Sequence, residues 1–160
     1  MHSLGDPVYL YLILKWLHVL AAIAVVGLHG VYGVWIVRAY GQNVALPFTL
    51  RTVKLLDDRV ALPGFAILLL SGVAMVARTK LAASTPWLLS GLVLFAVLTL
   101  VHFLVYRPAL RQLLLFADRN DLGTPEFQAA ANRERNVGIA MVVALLLIAF
   151  LMVVKPRLWG

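Results

Sequence analysis

Three of the four histidines, His18, His29 and His102, lie within runs of apolar residues long enough to cross a bilayer. An imidazole in hydrocarbon has lost its water partners, so it turns to a bundle interior, a hydrogen-bonding group, a metal or a cofactor. His18 and His29 are 11 residues apart, which is about 1100° of helical rotation, roughly 20° from eclipsed, with a rise of about 16.5 Å. They share one helix face at two depths. Gly91 stands in the same relation to His102. His29 and His102 each precede an arginine, Arg38 and Arg111, by nine residues, so two helices running in the same direction bring both imidazoles to one depth.

Two imidazoles from two helices of one bundle suit the axial positions of a b-type heme, which needs no cysteine and takes an apolar slot. On this reading His29 and His102 ligate heme iron, Gly91 leaves room for a porphyrin face in the outer half, and Arg38, Arg107 and Arg111 pair with propionates. His18 is the ligand of a second heme or, with Met75 or Met152, of a copper ion. The alternative for any single histidine is structural, a hydrogen bond to a neighbouring carbonyl, hydroxyl or water that holds helices together. Tyr32 and Tyr106 lie on the faces of His29 and His102 and read as packing aromatics. Lys15, one turn before His18, snorkels to the outer surface.

Other chemistries find no residues. The chain has no cysteine, which excludes disulfides, thiolate clusters and covalent heme attachment. It has no His-Glu-x-x-His, no phosphate-binding glycine loop, no nucleophile elbow, and no Asp or Glu within the apolar spans. A proton-coupled carboxylate pump and soluble enzyme chemistry are disfavoured, leaving an electron-transfer or accessory subunit of a larger membrane complex.

The elements that must position these histidines are helices in a membrane. Of 160 residues, 62% are hydrophobic and 13% charged, and the mean hydropathy is +0.93. Spans are expected at about 8–37, 60–77, 87–106 and 137–154; the last three are near the roughly 20 residues that cross a bilayer, and the first, being longer, should tilt or extend into the cytoplasm. The fold class is therefore all-α, one integral membrane four-helix bundle over 1–160 with juxtamembrane helical extensions. The first helix runs from Pro7 towards Tyr40 and reads as retained, since no basic leader or small-residue cleavage pattern accompanies it. Gly41, Gln42, Asn43 and Pro47 break it.

Phe48 to Arg59 reads as an interfacial helix or linker, with Asp57 and Asp58 capping the second span and Pro63 tolerated in its first turns. The short turn through Ser84, Thr85 and Pro86 makes the second and third spans antiparallel neighbours, and Leu110 to Phe116 extends the third. Thr124, Pro125 and Glu126 signal the start of the last helix, Lys155 and Pro156 its end, and Trp159 an interfacial anchor. Gly27, Gly30, Gly33, Ser71, Gly72 and Gly91 suit close helix contact. A shift of 73 residues superposes His29 on His102 and Arg38 on Arg111. If that is a duplication, two hairpins are related by an axis along the membrane normal.

The net charge is +7, and its distribution points to lipid, not nucleic acid. Nine of the 14 basic residues flank the two long connections (Arg38, Arg51, Lys54, Arg59, Arg107, Arg111, Arg119, Arg133 and Arg135). The positive-inside tendency places those connections in the cytoplasm and both termini outside. Membrane-protein partners or a homo-oligomer are expected.

Leu14-Lys15-Trp16-Leu17-His18-Val19-Leu20 followed by small residues to Gly27, the Asp58-Arg59 and Pro63-Gly64 entry, Ser71-Gly72, and Leu151-Met152-Val153-Val154-Lys155-Pro156 form a further pattern. Together they resemble a bacterial domain-of-unknown-function family of small, predicted four-helix integral membrane proteins. The first helix is also similar to the copper-resistance protein D membrane domain and to the heme-binding, four-helix protoporphyrinogen oxidase family. The latter resemblance implies heme ligation at His18 and, by analogy alone, oxidase activity. His29 and His102 map onto neither pattern, and the third helix lacks the lysine the oxidase family leads one to expect.

Overall fold

The computed structural model describes residues 7–157 except positions 41, 43, 44, 80, 81 and 83. Gly41, Asn43, Lys80 and Trp159, to which the sequence assigned helix breaks, charge and anchoring, lie outside the described residues.

Four long apolar helices make the fold, with no strand among the described residues. Helix α1 is Pro7–Ala39. Helix α2, Ala45–Leu56, passes through a five-residue π-turn, Asp57–Ala61, straight into α3, Leu62–Thr79. In the same manner α4, Pro86–Val101, passes through a π-turn at His102–Tyr106 into α5, Arg107–Asp118. The last helix, α6, is Pro125–Val154. As the sequence implied, Thr124 caps α6, its hydroxyl accepting from the Phe127 N–H at 3.2 Å, with Pro125 in the first turn, where its missing N–H costs nothing. Lys155 ends it in the left-handed region, φ 51°.

The Phe48–Arg59 segment is thus helical, as one of its two readings had it, but it runs on into α3, and Asp57 and Asp58 cap nothing, because the helix does not break there. Leu46, Leu50 and Val53 give α2 a buried stripe, which supports the helix through its charged residues. The π-turns have a local cause. Pro63 and Pro108 each follow a π-turn by two residues, and a proline ring within a helix both lacks a donor and crowds the carbonyl four residues back. Opening the preceding turn to i→i+5 bonds relieves that crowding: Leu62 N–H donates to the Asp57 carbonyl and Arg107 N–H to the His102 carbonyl.

In lipid, helices gain nothing by hiding apolar surface from each other, so close fit decides the packing. Helix α1 lies along α3 and α6, α4 along α6, and α2 against α5 at the basic end. The α3–α4 turn is short, yet α3 packs on α1 and α4 on α6, so these two are antiparallel without being the close neighbours expected. Gly64 and Gly72 explain the α1–α3 fit: a Cβ at Gly64 meets Val25 Cγ2 at 2.6 Å, and one at Gly72 meets His18 Cε1 at 3.3 Å. Gly27, Gly30 and Gly33 face open space instead. A larger core at the basic end, around Tyr32, Leu50, Tyr106, Leu113 and Phe127, is separated from a smaller one of Val25, Phe65, Leu98 and Leu145. Buried polar side chains lie at their junction.

Candidate functional site

His29 is placed by α1 on its inward face, one turn after Val25 and one before Tyr32. Its Nδ1–H donates to the Val25 carbonyl at 2.8 Å. That bond sets the tautomer and leaves Nε2 as a bare lone pair, buried and without a partner. Asp57 and His102 come from the first residues of the two π-turns. They are 1% and 0% exposed. Asp57 Oδ1 and both ring nitrogens of His102 have no hydrogen-bond partner among the described residues, and His102 Nε2 stands 3.5 Å from Asp57 Oδ1.

One nitrogen from each imidazole and one Asp57 oxygen lie within 4.8 Å of one another. Donors around an ion with bonds of about 2 Å sit roughly 3–4 Å apart, so a small closing movement would bring these three to the spacing an ion requires. The histidines' ring centroids are 5.7 Å apart. Phe65 packs on both rings, at 5.1 Å from His102 and 5.8 Å from His29, and Tyr106 stacks on His102 at 5.7 Å. This sleeve keeps water away and lowers the local dielectric, which makes bare donors costly unless something binds them.

On its basic side Asp57 meets Arg107, whose Nε lies 3.9 Å from Oδ2. Arg107 donates through Nη2 to Asp58 Oδ1, and Lys54 Nζ donates to Asp58 Oδ2 at 2.6 Å. A small cleft lined by Lys54, Asp58, Arg107 and Arg111 leads to Asp57. Arg107 therefore fixes the far oxygen and leaves Oδ1 facing the histidines.

The structure brings His29 and His102 together, as helical phase and depth predicted. It places the other expected ligands elsewhere. His18 Nδ1 donates to Ser71 Oγ at 2.9 Å, and Ser71 Oγ donates on to the Ile67 carbonyl, an α1–α3 clasp of the structural kind. Gly91 accommodates the Met152 methyl, which a Cβ there would meet at 2.5 Å. Arg38 is exposed at the last turn of α1. Arg107 is paired with Asp58, a carboxylate of the protein itself, and Arg111 lines the same small cleft.

Two acids escaped the sequence reading. The sequence reads Asp57 as a cap, and Glu134, 4% exposed in α6, falls just before the expected span. Both were lost because spans were drawn to stop at charged residues, although continuous helices carry these charges inward. The signal for Asp57 was present: Asp57 and His102 each stand six residues before a proline, Pro63 and Pro108.

Residues 12–156 match a family described as "Predicted integral membrane protein (DUF2269)". No curated protein and no solved structure matches the chain, so the resemblances to copper-resistance and protoporphyrinogen oxidase families find no support.

Proposed function

From the premise that this chain belongs to the DUF2269 family of predicted integral membrane proteins, we propose that it is a membrane metalloprotein that transfers electrons through a transition metal at His29, Asp57 and His102. One observation carries the reading: three buried donor atoms from three different helical segments converge, and none of them has a hydrogen-bond partner among the described residues. Two imidazoles and a carboxylate form the set that suits iron, with manganese and zinc as competitors. The carbonyl of Val25 orients the His29 ring from behind, and Arg107 orients Asp57, the outer contacts that ligands need to hold their geometry. The family's multi-pass chain is read as lying in the bacterial inner membrane with both termini outside, on the strength of the basic residues at its long connections.

Metal analysis of protein purified in detergent from metal-replete cells tests this. One metal ion per chain is expected, falling to background in His102→Ala and His29→Ala. Wild-type protein that binds no iron, manganese, zinc or copper on titration sinks the proposal. A b-type heme on the same two imidazoles is the second reading, favoured by their 5.7 Å separation. It requires Phe65, Tyr32 and Tyr106 to part for the macrocycle, which is why the ion comes first. A pyridine hemochrome spectrum separates the two. The bare Gly27, Gly30 and Gly33 side of α1 favours membrane-protein partners, and a solely monomeric species in mild detergent counts against them.

A further inference from the structure

Tyr32 stands one turn after His29 on the inward face of α1 and is 1% exposed. Its hydroxyl is buried without a hydrogen-bond partner among the described residues. Side chains of an α-helix lean back towards its N-terminus, which sets the Tyr32 ring against the His29 imidazole with centroids 5.4 Å apart. A phenol in a dry site with nothing to bond is disfavoured on its own account, for the same reason as the three donors beside it.

The other tyrosines at this end answer differently. Tyr106 is stacked on His102 at an interplanar angle of 24°, so it offers the imidazole a ring face. Tyr40 lies 11 residues beyond His29, about 16.5 Å further along the chain at helical rise. Of the three, Tyr32 combines an orphaned oxygen with a place on the ligand face.

We propose that Tyr32 Oη is the fourth donor of the centre, binding ferric iron as a phenolate beside His29, Asp57 and His102. The inference rests on the metal-binding reading above. As the iron–oxygen bond forms the phenol O–H bond breaks and its proton leaves to solvent, and no electron is transferred, because the iron enters and remains as Fe(III). Two anionic oxygens and two imidazoles make a harder set than the histidines and Asp57 alone, and so favour the ferric over the ferrous ion.

The experiment adds ferric nitrilotriacetate to metal-free protein in detergent and records visible absorption, resonance Raman and proton release. Wild-type protein is expected to develop a phenolate-to-iron charge-transfer band with tyrosine ring modes. Tyr32→Phe, which removes only one oxygen, is expected to keep bound iron at about tenfold or more lower affinity, to lack the band, and to release one proton fewer per iron. Tyr106→Phe is expected to keep the band. Persistence of the band in Tyr32→Phe, or wild-type protein that binds iron without any such band, overturns the proposal while leaving the metal site standing. Wild-type protein that binds no metal overturns both.

Discussion

Replacing Asp57 by asparagine separates a residue kept for binding from one kept for folding. The carboxylate is 2% exposed, and Arg107 at 3.9 Å attracts it without a hydrogen bond. At an effective dielectric of about 20 that attraction is about 4 kcal/mol, set against a desolvation penalty of several kcal/mol per ion. Asparagine keeps the shape, removes the penalty, and can donate its amide N–H to the bare His102 Nε2, a bond worth about 0.5–1.5 kcal/mol. Arg107 retains Asp58 as a partner, so no new charge is stranded. The metal-free Asp57→Asn protein is therefore expected to be more stable than wild type by about 1–3 kcal/mol.

For a chain of this size that difference raises the melting temperature in detergent by about 3–10 °C. Iron at about a hundred times its dissociation constant should stabilise wild-type protein by roughly 2.7 kcal/mol and leave the variant unchanged. The assay is a thermal melt followed by circular dichroism, with and without metal. A metal-free variant that melts lower than wild type identifies Asp57 as a structural ion-pair partner, since breaking such a pair costs about 3–5 kcal/mol. A variant that still gains stability from metal removes Asp57 from the ligand set. Either result refutes the reasoning.

Gly64→Ala is expected to destabilise the bundle by about 1–3 kcal/mol, because its Cβ meets Val25 Cγ2 at 2.6 Å, and Val25→Ala in the same chain should restore most of the loss in a thermal melt. Ser71→Ala removes the partner of His18 and should cost about 0.6–1.7 kcal/mol, the range for hydrogen bonds between membrane helices, with no change in metal content. A fall in bound metal there would show that His18 and the inner centre act together.

The helix ends were legible where capping chemistry is local, at Thr124 and Lys155, and the His29–His102 encounter followed from phase and depth alone. What could not be read was the third donor. Assigning faces at 100° per residue assumes an unbroken α-helix, and the turns at Asp57–Ala61 and His102–Tyr106 break that assumption. Charged residues at 51, 54, 57, 58 and 59 resemble a solvated linker, whereas Leu46, Leu50 and Val53 carry the buried stripe beneath them. The splay of α3 from α4 was hidden for another reason. Neighbours in a bundle are chosen by which small residues admit which large ones, as Gly64 admits Val25 and Gly91 admits Met152, and pairings of that kind leave no periodic trace.

Each π-turn holds one residue more than an α-helical turn, so the helix beyond it is rotated by about 100° relative to an uninterrupted one. Removing a single residue between Asp57 and Ala61 together with the proline ring at 63 would restore one continuous register and swing α2, with its stripe, away from the face that α3 presents to α1. The approach of the Asp57 carboxylate to His29 and His102 thus depends on the length of a single turn, and a one-codon deletion or insertion there is enough to take it away or bring it in.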